Sequence, residues 1–249
     1  MTTDDAHAGA GKAQYVRRMF GAVARRYDLL NHLLSAGLDV GWRRRAAEVA
    51  CPDAATAAAG PLVVDVCCGT GDLAAAVLAQ APAARVVACD FCRPMLERAR
   101  RKFDRRGLSG RATVVEADAL ALPLADAAAD AATCAFGLRN LIDPARGLAE
   151  MVRVVRPGGR VVVLEFHQPQ ARGLVGRLFG LYFRRILPRL GAWVARDRHG
   201  GYAYLVASID AFGPPRQTAA AMEDAGLADV VARPLAGGIA SVFAGRKPG

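Results

Sequence analysis

A glycine-rich turn and two acidic residues carry the clearest chemistry in this sequence. Residues 63–72 (VVDVCCGTGD) lead from an apolar stretch into a turn whose glycines let a ligand approach the backbone closely. Asp90 follows about 20 residues after Gly71, where an acid accepts hydrogen bonds from ribose hydroxyls. Asp118 comes after the next apolar stretch and is placed to reach an adenine ring. The spacing therefore predicts a site for an adenosine-containing ligand.

A nicotinamide-dependent enzyme is an alternative, because Gly69, Gly71 and Ala74 also satisfy the G-x-G-x-x-A pattern of dinucleotide-binding proteins. Asp72 argues against it, since a carboxylate beside the second glycine would repel a pyrophosphate at a helix N-terminus. Asp65, an acid within the apolar stretch before the turn, is a further departure from that pattern.

Alternating strand and helix patterns must position these residues. Helices are predicted over 73–79, 94–106 and 144–155, and strands over 62–67, 85–90, 112–116, 129–135, 160–165, 228–233 and 240–246. Repeated strand–helix units predict an α/β fold of the doubly wound type, with a mostly parallel sheet and helices on both faces.

Two segments lie outside the predicted core. Residues 1–50 are expected to form an N-terminal tail and a helical cap, and residues 170–226 a helical insertion after the fifth strand. Both are rich in aromatic and arginine residues, which suits either ordinary helix packing or a lid over an apolar ligand. With residues 51–249 forming the core, we expect one domain overall.

Composition restricts the class of protein. The chain has 249 residues and a net charge of +10, and 53% of its residues are hydrophobic, a content too high for a disordered protein. No uncharged stretch reaches the roughly 18 residues of a membrane span, and the acidic N-terminus does not resemble a secretory signal. We therefore expect a cytoplasmic protein whose positive charge favours nucleic acid, a phosphorylated substrate or an anionic lipid surface.

The cysteines and histidines do not predict a metal site. Cys89 and Cys92 have C-x-x-C spacing, but no second pair lies at zinc-finger distance, and the four histidines are scattered. We expect buried thiols and no metal.

The glycine turn, the acids after the second and third strands and the Pro-Gly-Gly before the fifth strand resemble those of class I S-adenosylmethionine-dependent methyltransferases. This resemblance implies a seven-stranded sheet with an antiparallel last strand, and S-adenosyl-L-methionine as cofactor. The residues that it implies for cofactor binding are Asp65, Gly69, Thr70, Gly71, Asp90, Asp118, Ala119 and Ala135.

Motifs outside the glycine turn are similar to those of the ubiquinone/menaquinone biosynthesis C-methyltransferase family, over about residues 15–247. They are residues 26–35 (RYDLLNHLLS), 42–44 (WRR), 136–140 (FGLRN) and 201–209 (GYAYLVASI). Members of this family methylate a ring carbon of a polyprenylated quinol. The residues expected to bind that substrate are Tyr27, Asp28, Asn31, Tyr202 and Tyr204; the first three have the alternative role of fixing the cap.

Arg139 and Asn140 are the catalytic residues that the resemblance implies. A positive group beside the quinol oxygen would stabilise phenolate charge, and Asn140 would orient the ring. Because a guanidinium stays protonated, we expect Arg139 to act electrostatically or through a water. The alternatives are that Arg139 caps the adjacent turn or pairs with Asp143.

The substrate ring is left open between demethylmenaquinol, which the glycine turn favours, and a benzoquinol of ubiquinone biosynthesis. A methyltransferase acting on another lipid or a polyketide, or a nucleic-acid methyltransferase, remains an alternative, although no nucleic-acid partner is expected. Contact with an anionic membrane is expected through arginines of the insertion, and the oligomeric state, a homodimer included, is open. These arginines are Arg184, Arg185, Arg189, Arg196 and Arg198.

Overall fold

The computed structural model of the chain describes residues 3–24, 27–51, 60–167 and 201–249. These ranges contain a seven-stranded sheet with the strand order β3-β2-β1-β4-β5-β7-β6. The strands are β1 Leu62–Val66, β2 Arg85–Asp90, β3 Ala112–Glu116, β4 Ala129–Ala135, β5 Val155–Phe166, β6 Ala228–Leu235 and β7 Ala240–Arg246. Strand β7 runs antiparallel to both of its neighbours, and the other pairings are parallel. The predicted fold class is confirmed.

The helices of the described residues flank this sheet or precede it. They are α1 Thr3–Val23, α2 Tyr27–Leu34, α3 Leu38–Ala50, α4 Asp72–Gln80, α5 Arg93–Arg105, α6 Pro144–Val154, α7 Gly201–Phe212 and α8 Pro215–Asp224, with a 3-10 turn at Leu138–Asn140.

Two hydrophobic layers hold the helices against opposite faces of the sheet. Ala46 of α3 and Val77 of α4 are buried in one layer, and Leu148 of α6 and Met222 of α8 in the other. Strands β1, β4 and β5 are buried on both faces, which explains their nearly continuous apolar sequences. This arrangement brings the carboxyl ends of the parallel strands to one edge, where the predicted site residues follow them.

Strand β5 differs from its prediction, which began at residue 160. It begins at Val155, which pairs with Ala129, and the ladder between β4 and β5 shifts register after that pair. Pro157 and Gly158 lie in this irregular part, and Gly158 has a φ of +78°. The Pro-Gly-Gly sequence predicts a break before the strand, whereas in the structure it forms a bulge within the strand.

Candidate active site

A cleft lies at the carboxyl edge of the parallel strands. Its empty volume, which includes space open to solvent, is about 880 Å³. The predicted site residues that line it are Tyr27, Gly69, Asp90, Asp118, Ala119, Ala135 and Asn140. The fold therefore brings together residues from the cap, from the glycine turn and from the ends of four strands.

The glycine turn between β1 and α4 depends on its two glycines. Gly69 and Gly71 have φ angles of +54° and +82°, a conformation that side chains disfavour. A Cβ on Gly71 would lie 2.6 Å from Cζ of Phe103 in α5. The turn is thus packed closely against α5 and leaves the Gly69 backbone at the cleft.

Asp90, at the end of β2, holds the glycine turn and the residue that precedes α5 in place by hydrogen bonds. Its carboxylate accepts hydrogen bonds from the backbone N–H of Gly69 at 2.9 Å and from that of Cys92 at 2.8 Å. Burial raises the pKa of Asp90 to about 6, although the backbone hydrogen bonds act in the opposite direction. The side chain is therefore mainly ionised at neutral pH and can accept hydrogen bonds from hydroxyl groups.

Asp118 follows β3 and lines the cleft. Its Oδ1 accepts a hydrogen bond from the Leu120 backbone N–H at 2.9 Å, so the residue caps its own turn. Ala119 is buried beside it. Capping holds the turn in place and is compatible with the predicted role at an adenine.

Asp65 lies beneath the glycine turn. Its oxygens accept hydrogen bonds from the Ala74 backbone N–H at 3.1 Å and from Thr133 Oγ1 at 2.9 Å, which ties α4 to β1 and β4. Burial raises the pKa of Asp65 to about 7. Asp65 and Thr70 line a second, smaller cavity, together with Tyr27, Gly69 and Ala135 of the main cleft.

Asp28 connects the cap to the glycine turn. It accepts a hydrogen bond from Thr70 Oγ1 at 2.5 Å and pairs with Lys102 Nζ at 2.9 Å, and Lys102 also pairs with Asp72. Burial alone would raise the pKa of Asp28, but the bonds with Thr70 and Lys102 outweigh it and lower the pKa. These contacts correspond to the alternative in which Asp28 fixes the cap.

Tyr27 and Asn31 occupy successive turns of α2. The Tyr27 ring is 5.7 Å from that of Phe20 in an edge-on arrangement, and burial raises the pKa of its hydroxyl. Tyr27 lines both cavities, whereas Asn31 lines neither. The Asn31 Nδ2 is buried and has no hydrogen-bond partner among the described residues.

Arg139 lies behind the wall of the main cleft and is not one of its lining residues. Its guanidinium donates from Nη1 to the Phe136 carbonyl at 2.7 Å and to Glu165 Oε1 at 2.5 Å, and from Nε to Ser208 Oγ at 3.4 Å. Glu165 is 0% exposed, and burial raises its pKa despite the Arg139 charge. The hydrogen bond from Arg139 to the Phe136 carbonyl confirms the alternative in which Arg139 caps the adjacent turn.

The alternative that Arg139 pairs with Asp143 is wrong. Asp143 accepts a hydrogen bond from the Arg146 backbone N–H at 3.0 Å and caps α6, while Arg139 pairs with Glu165 across the β4–β5 edge. The sequence analysis assigned no role to Glu165. The available signal was an acid near the end of an otherwise apolar strand, which requires a buried partner.

Asn140 reaches the cleft from the same turn. Its Nδ2 donates to the Phe136 carbonyl at 3.0 Å, and its Oδ1 accepts from Tyr204 Oη at 3.2 Å. The Tyr204 ring is 5.6 Å from Tyr15 of α1, so α7 and α1 meet beside Asn140. The side chain of Tyr202 lies outside the described residues.

The remaining lining of the main cleft is largely apolar. Helix α1 supplies part of it through Val16 and Phe20, to which the sequence analysis assigned no individual role. The apolar lining residues include Val16, Phe20, Phe91, Met95, Leu120, Leu141 and Ile142.

Cys89 and Cys92 are each 1% exposed, which confirms the prediction of buried thiols. Burial raises the pKa of Cys92 to about 11. Within the described ranges, no group of three or more histidine, cysteine, aspartate and glutamate side chains is arranged to hold a metal ion.

The strand order, the glycine turn after β1 and the acids after β2 and β3 define a class I methyltransferase fold. Residues 9–247 match the model of the ubiE/COQ5 methyltransferase family. The chain belongs to this family, as its motifs predicted.

Two relatives and one solved structure give the extent of the similarity. The chain is 47% identical to a demethylmenaquinone methyltransferase of Deinococcus radiodurans, over 95% of this chain and 94% of that protein. It is 46% identical to a demethylmenaquinone methyltransferase of Thermus thermophilus, over 92% of this chain and 100% of that protein. A SAM-dependent methyltransferase structure from Aquifex aeolicus shares the fold, with a TM-score of 0.53 and 18% identity over 75% of this chain and 82% of that one.

Proposed function

We propose that this protein transfers the methyl group of S-adenosyl-L-methionine to a ring carbon of demethylmenaquinol, which gives menaquinol. The observation that carries the proposal is a single cleft that is lined by Gly69 and Asp90, by apolar side chains and by Asn140. The names of the two relatives, each nearly half identical in sequence, support the same reaction.

The residues of the glycine turn and of the strand ends fit this cofactor. The Gly69 backbone would hold its methionine portion, the Asp90 carboxylate would accept hydrogen bonds from its ribose, and Asp118 with the Ala119 N–H would hold its adenine. Ala135 has no polar side chain and would contribute a backbone contact. When bound, S-adenosylmethionine supplies an electrophilic methyl group, so the chemistry needs no metal.

The apolar part of the cleft lining suits a quinol. Its aromatic and aliphatic side chains would cover the ring, and the Asn140–Tyr204 pair offers polar groups to a ring oxygen. Burial raises the pKa of Tyr27 and of Tyr204, and the Arg139 charge acts on both in the opposite direction. Arg139, although paired with Glu165, would favour a phenolate over a neutral quinol in the cleft.

In the proposed reaction, the ring carbon forms a bond to the methyl group as the bond from that group to sulfur breaks. The ring carbon then loses its proton to water, because the guanidinium of Arg139 accepts none. Asn140, which lines the cleft, would orient the ring, and Arg139, which does not line it, would act on the charge of the ring from behind the cleft wall.

We also propose that the protein acts in the cytoplasm at the inner face of the cell membrane, where a polyprenylated substrate resides. No helix of the described residues is long and apolar enough to cross a bilayer. The net charge of +10 would favour an anionic surface. Arg184, Arg185, Arg189, Arg196 and Arg198, which were predicted to contact it, lie outside the described residues.

The proposal is tested by the mass of the product. The purified protein is incubated with S-adenosylmethionine and, separately, with demethylmenaquinol, with the demethylated benzoquinol and with RNA. We expect one methyl group to be added to demethylmenaquinol and the rate to fall in an Asn140→Ala variant. Methylation of only the benzoquinol or of only RNA would overturn the assignment.

A further inference from the structure

We propose that Gly137 and Cys67 are positioning residues, and that their contact sets the distance between the transferred methyl group and the quinol ring. The contact joins the glycine turn, which would hold the cofactor, to the turn that carries Asn140, which would orient the ring. This inference rests on the proposed function, and it gives a role to two residues that the proposed reaction does not use.

The two turns meet inside the site, where they follow the adjacent strands β1 and β4. Cys67 lines both cavities, and Gly137 lines the main cleft. A Cβ on Gly137 would lie 2.5 Å from Cβ of Cys67, 3.0 Å from Sγ of Cys134 and 3.2 Å from Sγ of Cys67. Carbon atoms in contact are about 3.5–4.0 Å apart, so this position has no room for a side chain.

The lack of space, and not the backbone conformation, explains the glycine at position 137. Gly137 has a φ of −107° and a ψ of −34°, a right-handed conformation that residues with side chains also adopt. By contrast, Cys67 and Phe136 have φ angles of +55° and +58° although they carry side chains. Such conformations persist only where the surrounding structure holds them, and they cluster at active sites. Both turns are therefore held in a disfavoured conformation at the point where they touch.

Hydrogen bonds prevent either turn from moving away freely. The Cys68 N–H donates to the Cys89 carbonyl of β2 at 2.9 Å, and the Phe136 N–H donates to the Leu164 carbonyl of β5 at 2.8 Å. The Cβ of Cys67 is attached directly to the backbone, so it cannot rotate out of the way. A side chain at position 137 would therefore displace the turn that carries it by about 1 Å.

A displacement of Gly137 would be passed on to Asn140. The Gly137 carbonyl accepts a hydrogen bond from the Asn140 backbone N–H at 3.0 Å, and the Phe136 carbonyl accepts one from Asn140 Nδ2 at 3.0 Å. Reacting atoms must lie about 3–3.5 Å apart and in line, and a misplacement of about 1 Å can lower a rate by about 100-fold. Gly137 thus acts on the reaction through Asn140 and not by touching the substrate ring.

The substitution Gly137→Ala tests this role. We expect kcat with demethylmenaquinol to fall by about 100-fold, while KM and the calorimetric Kd of S-adenosylmethionine stay within about twofold, because only the alignment in the transition state is lost. Gly110→Ala is the matched control. Gly110 has no atom within 4 Å of an added Cβ, and its substitution should leave all three values unchanged.

A second pair of variants tests the contact itself. Cys67→Gly removes the Cβ that faces Gly137 and leaves a gap between the turns, so it should also lower kcat. In Cys67→Gly/Gly137→Ala the added methyl group would fill that gap, and Cys134 Sγ could rotate into the remaining space. We expect this double variant to turn over faster than Cys67→Gly, although the same alanine slows the wild-type protein. This comparison does not depend on the folding of Gly137→Ala alone.

Three results would overturn the positioning role while leaving the proposed function intact. They are a normal kcat for Gly137→Ala, a loss of cofactor affinity as large as its loss of kcat, and a double variant that is slower than Cys67→Gly. A wild-type protein that did not methylate demethylmenaquinol would overturn both proposals.

Discussion

Among individual residues, Arg139 and Glu165 form the buried ion pair behind the proposed quinol site. Both are at most 8% exposed, and Glu165 also accepts hydrogen bonds from the backbone N–H of Arg139 and of Phe166. A buried pair of this kind is costly to break, because removal of one partner leaves an uncompensated charge. The pair therefore holds the turn that carries Asn140 and fixes the position of the Arg139 guanidinium behind the cleft.

Arg139→Ala should reduce methyl transfer by about 100- to 1000-fold, as for loss of a group that stabilises transition-state charge. It should also lower the free energy of unfolding by about 3–5 kcal/mol, because Glu165 loses its partner. A turnover assay and urea denaturation measure these two properties, and calorimetry measures whether the variant still binds the cofactor.

The variant Arg139→Ala/Glu165→Gln is the control for folding. It should recover most of the lost stability and bind the cofactor, yet remain deficient in methyl transfer. Normal turnover in either variant would contradict the electrostatic role of Arg139.

The sequence predicted those site residues whose roles follow from a local motif. Gly69, Asp90 and Asp118 were predicted because their spacing along successive strands fixes their place at one sheet edge. The contacts of Asp28 with Lys102, and of Arg139 with Glu165, join segments that are distant in the sequence. Such pairings depend on tertiary packing, and spacing alone cannot reveal them.

At the level of helices and strands, the contact between the glycine turn and α5 supports the cofactor site. The turn is held in a left-handed conformation at Gly71, directly against Phe103. The same helix α5 begins where Asp90 accepts the Cys92 N–H, so one movement of α5 would disturb both features.

Gly71→Ala should therefore lower the free energy of unfolding by about 2–4 kcal/mol and weaken cofactor binding, since it adds both a disfavoured φ and a clash with Phe103. Gly107→Ala is the matched control. Gly107 has a φ of +66° and no atom within 4 Å of an added Cβ, so only about 1 kcal/mol should be lost and cofactor binding should not change. Equal effects of the two substitutions in urea denaturation and calorimetry would contradict this account.

The bounds of most elements could be predicted from the sequence. Strands β2, β3, β4 and β7 have the predicted bounds, because apolar runs between turn residues are a local signal. Strand β5 begins earlier than predicted, because Val155 pairs with Ala129 of β4 and a bulge joins this pair to the rest of the ladder. Proline and glycine are typical both of a break before a strand and of a bulge within a strand. Which of the two forms depends on pairing with the neighbouring strand.

For the molecule as a whole, the excess of positive charge would help an enzyme with a lipid substrate to bind an anionic membrane surface. All but three of the 33 basic side chains are arginine, part of which a GC-rich genome explains. The proposed substrate resides in a bilayer, and a net charge of +10 attracts an anionic surface within about one Debye length.

The protein should sediment with anionic vesicles at about 0.01 M salt and be released at about 1 M, where the Debye length falls from about 30 Å to about 3 Å. Neutral vesicles of the same size are the control and should not bind it. A failure to sediment with anionic vesicles at low salt would contradict docking by charge.

The most direct test of the central claim is the position of a transferred methyl group. The protein is incubated with S-adenosylmethionine that carries a trideuterated methyl group and with demethylmenaquinol, and the product is analysed by mass spectrometry and NMR. We predict that the CD3 group replaces the hydrogen of a ring carbon and that both hydroxyls remain free. A CD3 group on oxygen, or a quinol recovered without the label, would contradict the account.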